Sequence, residues 1–241
     1  MIPRDVASEY RFVLLFTQMK IWKEKIKKCL RNEAFVQGSV EAFIMLALSL
    51  VVNFYSGLYA TERASSPVTD LILSNTPIFD LDGIFVWGAI ALWAFTILML
   101  FREPRKIPFA FKSIALFVVV RSIFISLTHI GPFPTGLPAD PGSVISNSKI
   151  LFDLFYGKDL FFSGHTGLPF LFALLFWENT ILRNIFIVAS VFFGAIVLLA
   201  HFHYSIDVLA AFFITYSIYR LSEIFFRLDK EMAVNWDAYI L

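Results

Sequence analysis

The sequence is short of thiols, charge and histidine. Its single cysteine, Cys29, rules out an intrachain disulfide among 241 residues, and one thiol does not report a redox compartment. Asp, Glu, Lys and Arg together make up 16%, where a soluble domain carries about a quarter. There are four histidines in all. No low-complexity tract, internal repeat or second soluble domain is evident. The N-terminus is polar and charged and has no short apolar core, so no cleavable signal peptide is expected.

What the chain does have is apolar surface. Hydrophobic residues make up 58%, with 29 phenylalanines, and the mean hydropathy is +0.73. Six windows can cross a hydrocarbon layer of about 30 Å as helices: about 35–59, 84–101, 107–129, 162–178, 181–200 and 204–226. The expected fold is all-α: a polytopic membrane protein with a six-helix transmembrane bundle and an N-terminal amphipathic helix. Residues 10–30 mix apolar residues with lysines at helical spacing, as a helix lying on an anionic membrane surface does. The expected organisation is a cytoplasmic segment 1–33, a transmembrane catalytic domain 34–228 and a cytoplasmic tail 229–241.

Positive charge sets the expected orientation. With a cytoplasmic N-terminus, fifteen of the twenty basic residues fall inside. Arg63, Lys149 and Lys158 fall outside, and Lys112 and Arg121 lie within the third span. Both termini are then cytoplasmic, and all four histidines, His129, His165, His201 and His203, gather near the opposite face. Ionisable groups at membrane depth are costly and usually functional.

Two stretches concentrate this chemistry. In "DLFFSGHTGLPF", residues 159–170, Ser163 is a good N-cap and Gly164 permits close approach to the backbone. A helix N-terminus there offers unsatisfied N–H groups and a dipole suited to an anion. His165 places in that seat a ring that exchanges a proton near neutral pH. A capping sequence that happens to contain a histidine fits the same residues. In "AHFHYSIDVLAAFF", residues 200–213, His203 and Asp207 are four apart, which puts them on one face of a helix. The carboxylate would fix the tautomer of His203, as the aspartate of a Ser-His-Asp triad does for its base. A purely structural His–Asp tie remains the alternative.

Two other chemistries fit less well. His201 and His203 could join His165 and a carboxylate at zinc, but alternate helical residues point about 200° apart, so joint ligation needs an extended segment. Ser163 as nucleophile lacks the G-x-S-x-G elbow. No metal and no cofactor is expected.

"GKDLFFSGHT" at 157–166 and "HFHYSIDVLAAFFIT" at 201–215 resemble the sphingomyelin-synthase branch of the type 2 phosphatidic acid phosphatase superfamily. "RSIFISLTHIGPFP" at 121–134 is a looser match, and "SSPVTDLILSNTP" at 65–77 a weak match to an outer loop bearing Pro and Asp. The resemblance implies that His203 attacks phosphorus to give a phosphohistidine, with Asp207 orienting it. It implies that His165 protonates the leaving oxygen and then serves as base, supported by Asp159. Ser163, Gly164 and Arg121 are the expected phosphate-binding residues. The sequence departs from the family at two points. Phe202 stands where many of the synthases carry Glu, in H-E-H-Y. The K-x6-R-P signature of the ordinary phosphatases is absent, and Ile196 and Val197 stand where their Ser-Arg pair is expected.

The expected activity is transfer of a phospho-headgroup from a phospholipid donor to a lipid alcohol, ceramide or diacylglycerol, at the extracytoplasmic or lumenal face. The alternatives are a hydrolase of the same histidine chemistry and a non-catalytic lipid transporter or binding protein. No nucleic-acid partner is expected. The Pro-, Gly- and Ser-rich segment 131–160 is long enough to cover or shape a site.

Overall fold

The computed structural model describes residues 19, 20, 22–134 and 160–236. Asp159 and most of the 131–160 segment lie outside the described residues. Among the described residues the regular structure is all helical, as expected. Seven helices follow one another: α1 Glu33–Glu62, α2 Asp82–Arg102, α3 Ile107–Leu127, α4 Gly164–Leu175, α5 Thr180–Leu199, α6 Ser205–Phe225 and α7 Arg227–Val234. Residues 22–31 are helical ahead of α1. Side-chain caps set the starts of α1, α4 and α5, where Asn32, Ser163 and Asn179 accept from the backbone N–H three residues on.

Five of these helices, with the turn before α3 included, are long and apolar enough to cross a membrane. The fourth expected span is shorter than its window. α4 has 12 residues, about 18 Å, against 20 residues and about 30 Å for its neighbour α5. Ser163 caps its start, and its last turn gives way at Phe176 to the segment that leads into the Asn179 cap of α5.

α1 lies along α3, α4 packs between α5 and α6, α3 meets α6, and α2 leans on α5. Close approach at the centre depends on Gly167 of α4. A Cβ there would stand 2.8 Å from both a Phe117 ring carbon on α3 and the Thr215 hydroxyl on α6. Small residues at helix crossings are the usual means of packing where lipid is as apolar as the core. Ser190 of α5 donates to the Thr166 carbonyl at 2.7 Å, which fixes the register of α5 against α4. Phe117, Phe162, Phe172, Phe176 and Phe186 fill the core around this crossing.

That register recesses the start of α4. The Thr166 hydroxyl lies 3.4 Å from where a Gly194 Cβ would be, so Gly164 falls roughly level with position 194 of α5. α5 continues to Leu199, so α4 begins about 7 Å below its end.

The two ends of the bundle differ in chemistry. At the end bearing the described termini, Lys112 of α3 pairs with Glu41 of α1 and Asp229 of α7 at 2.8 Å each. α7 thus spans the expected start of the tail and is clamped to the bundle. Trp22 donates from Nε1 to the Phe101 carbonyl at 2.7 Å, and Lys25 pairs with Glu103. Cys29 is buried with Phe35, Met232 and Trp236, and burial pushes its thiol up to about 11. At the opposite end, residues 64–80 form a strap. Ser65 donates to the His129 carbonyl, and Phe79 N–H to the Leu199 carbonyl.

Candidate active site

The recessed start of α4 carries the first half of the site. Ser163 Oγ accepts from Thr166 N–H at 3.4 Å, and the Ser163 N–H donates to the Asp207 carbonyl at 3.1 Å. One backbone hydrogen bond therefore joins the two histidine segments. Ser163 and Thr166 have no exposure. Arg121 of α3 lies against this helix start, its Nε 3.5 Å from the Cβ position of Gly164. Although Arg121 lies within the third span, it stands beside this helix start.

The second half is a turn rather than a helix face. α5 ends at Leu199, and His201 takes a left-handed φ of 55°. The chain doubles back so that the N–H groups of Phe202 and His203 both donate to the Val197 carbonyl, at 2.9 and 3.3 Å. α6 starts only at Ser205, so the expectation that His203 and Asp207 share a helix face needs correction. The pair forms across the helix cap. His203 Nδ1 stands 3.3 Å from Asp207 Oδ2, and the same oxygen accepts from Tyr204 N–H at 3.1 Å.

A carboxylate can only accept, so it assigns the proton to Nδ1 and leaves the Nε2 lone pair available. Asp207 has no exposure and His203 is 9% exposed. His203 and Arg121 both lie within electrostatic reach of His165. The structure therefore gathers Arg121, Ser163, Gly164, His165, His203 and Asp207 at one recessed place. Asp159 is outside the described residues. Among the described residues no group of three or more His, Cys, Asp or Glu is placed to hold a metal. His201 turns instead toward Phe133, with ring centroids 5.5 Å apart.

Three contributors carry little signal in the sequence. Phe85 of α2 packs its ring on His165 with centroids 4.3 Å apart and on Phe202 at 5.2 Å. It is one of 29 phenylalanines, and nothing in its surroundings marks it. Tyr204, 1% exposed, donates from its hydroxyl to the Gly131 carbonyl at 2.8 Å and accepts from Val68 N–H at 3.2 Å. Asp70, in the weakly matching 65–77 stretch, accepts from both the N–H and the hydroxyl of Ser205.

Residues 158–224 match the family described as PAP2 superfamily C-terminal. The matched span contains both histidine segments and ends within α6. It supports membership of that superfamily, and with it an enzyme of the lipid phosphatase or phosphotransferase type. Together with the apolar helices it supports a multi-pass membrane protein acting on lipids. The comparison with curated proteins found no match.

Proposed function

We propose that this protein is a lipid phosphotransferase of the sphingomyelin-synthase-like kind, moving a phospho-headgroup from a phospholipid to ceramide or diacylglycerol. The observation that carries the reading is the Asp207–His203 pair facing the recessed start of α4, where His165 and Arg121 stand.

His203 Nε2 attacks phosphorus, and the bond from phosphorus to the donor's lipid oxygen breaks. His165, protonated, gives its proton to that oxygen, and the donor's lipid alcohol leaves. The headgroup phosphate is then held as a phosphohistidine on His203. His165, now neutral, takes the proton of the acceptor hydroxyl, whose oxygen attacks phosphorus. The P–N bond breaks and returns the electron pair to Nε2. The Gly164 and His165 N–H groups at the start of α4, with Arg121, hold the equatorial oxygens through both steps. Asp207 stabilises His203 whenever the ring is cationic. Asp159 supports His165, as the resemblance implies.

The aromatic wall favours transfer over hydrolysis. Phe85 covers one side of His165 and is itself backed by Phe202, so the surface beside the base is apolar. That suits a lipid alcohol better than water. In the proposed topology both termini are cytoplasmic and the histidine end faces the extracytoplasmic or lumenal side, following the charge bias.

The test uses purified protein in vesicles of mixed phospholipids, with and without ceramide or diacylglycerol, and mass spectrometry of the products. A new phospholipid that requires the lipid alcohol, and that His203→Ala lowers by at least about 10³-fold, is the expected outcome. Headgroup or phosphate release independent of any lipid alcohol makes the protein a hydrolase. Lipid movement with no bond cleavage makes it a transporter.

A further inference from the structure

Asp70 lies in the strap, outside the two histidine segments, and is 6% exposed. Among the described residues, its carboxylate hydrogen bonds come from two places. Oδ1 accepts from the N–H groups of Ile72 and Leu73, at 2.9 and 3.0 Å, which closes the 3-10 turn Leu73–Asn75. Oδ2 accepts from Ser205 N–H at 2.7 Å and from Ser205 Oγ at 2.8 Å. Ser205 is the first residue of α6. Asp70 thus satisfies, from 135 residues away in sequence, a backbone donor that α6 cannot satisfy itself. Burial by itself would raise the Asp70 carboxyl, but hydrogen bonds from Leu73, Ser205 and Ile72 hold it below the usual carboxylate range. It therefore remains ionised at the positive end of the α6 dipole.

The start of α6 has a second carboxylate, and the two divide its donors. Asp207 takes Tyr204 N–H and His203 Nδ1 on one oxygen; Asp70 takes Ser205. Without Asp70, Ser205 N–H would be an unmatched donor next to Tyr204, whose own N–H is held by the oxygen that orients His203. The Asp207 carboxylate, two residues on, would then face a competing donor, and serving Ser205 would draw it off His203. Apolar packing supports the same placement. Leu73 of the strap, Leu160 just ahead of Ser163, and Tyr204 between His203 and Ser205 form one buried cluster. The strap therefore touches both histidine segments.

We infer that Asp70 is a positioning residue for His203: by holding the first turn of α6, it leaves Asp207 to orient the imidazole. The inference rests on the proposed function for its kinetic part and on the geometry alone for its structural part.

The experiment compares wild type with Asp70→Ala, Asp70→Glu and Ser205→Ala. One readout is kcat and KM for the phospholipid donor in vesicles, and the other is hydrogen–deuterium exchange of detergent-solubilised protein. For Asp70→Ala, kcat should fall about 10–100-fold while the donor KM moves less than about threefold, as expected for a misplaced reacting group. Peptides covering 68–75 and 203–210 should exchange faster, with the core of α3 and α5 unchanged. Asp70→Glu should recover part of kcat. Ser205→Ala keeps the backbone donor and folds with the least disturbance, and it should lose no more than about threefold.

Unchanged exchange over 203–210 in Asp70→Ala overturns the inference, as does full kcat in folded protein. Faster exchange across the whole bundle with kcat falling only in step with the folded fraction also overturns it, since Asp70 is then a stability residue. A wild type inactive toward every donor removes the proposed function instead, and exchange over 203–210 still decides whether Asp70 holds α6.

Discussion

Asp229 and Asp207 sit at opposite ends of the bundle, both nearly inaccessible, yet they are held differently. Asp229 meets a fixed cation, Lys112, which is also matched by Glu41 at the same 2.8 Å. Asp207 meets a ring that can gain or lose its charge. One of its oxygens serves His203 and Tyr204, and the other is buried with no hydrogen-bond partner among the described residues. Leaving a carboxylate oxygen bare in an apolar bundle is unfavourable. The first arrangement closes an ion cluster whose charge does not vary. The second keeps a carboxylate beside the group whose charge changes in the proposed turnover. Depth in the membrane alone does not separate these two aspartates; the kind of partner each one meets does.

Isosteric amides at the two aspartates give the largest expected contrast. Asp207→Asn should lower kcat about 10²–10⁴-fold, as loss of the orienting carboxylate does in related His–Asp arrangements. Its unfolding temperature in detergent should stay close to wild type. Asp229→Asn should do the reverse, lowering the unfolding temperature and keeping activity per folded molecule. If Asp207→Asn turns over normally, the distinction drawn from the partners fails.

The ion cluster can be probed by removing its centre. Lys112→Met leaves Asp229 buried without its cation, and breaking a buried pair from one side is worth about 3–5 kcal/mol of destabilisation. Glu41 contributes less, because its side chain is 49% exposed and can turn to solvent. Lys112→Met combined with Asp229→Leu should recover most of the loss, because no buried uncompensated charge then remains. A double variant no more stable than Lys112→Met would show that the two residues do not act as a pair.

Arg121 tests the other side of the site. Its guanidinium lies against Gly164, and lysine keeps the charge but not the planar fork that grips two oxygens. Arg121→Lys should raise the donor KM about tenfold, in line with loss of one charge-assisted hydrogen bond. A donor KM unaffected in Arg121→Met would remove Arg121 from the phosphate seat and return it to a packing role.

The residue patterns made both halves of this comparison readable to different degrees. Five long spans were legible because each is a predominantly apolar run about as long as the bilayer needs, and Ser163 announced its helix start by residue type. The length of α4 was not legible. Its apolar residues continue past the point where Phe176 leaves the helix, and hydropathy does not register a capped end. His203 and Asp207 were legible as a pair from spacing, yet the cap geometry was not, since a spacing of four suits a helix face and a helix cap alike. Asp70 was touched only by a weak match of its loop and Phe85 not at all, because what defines them is contact across distant sequence: a strap closing on α6, and α2 leaning over His165.

The smallest expected effect concerns how the turn that delivers His203 is made. His201 is the single non-glycine residue with positive φ among the described residues. That conformation costs an L-residue roughly 1–2 kcal/mol. Its ring is buried against Phe133, so removing it carries a packing loss of its own. Comparing His201→Gly with His201→Ala cancels that loss, because both variants delete the ring. Glycine should then be more stable than alanine by about 1 kcal/mol, read as a difference in unfolding temperature in the same detergent. Activity should follow the same order, since the left-handed residue is what turns Phe202 and His203 back onto the Val197 carbonyl. Alanine equal to or better than glycine would mean that the ring contact with Phe133, rather than the backbone turn, sets the position of His203. The histidine end would then be held by packing, as the opposite end is held by charge.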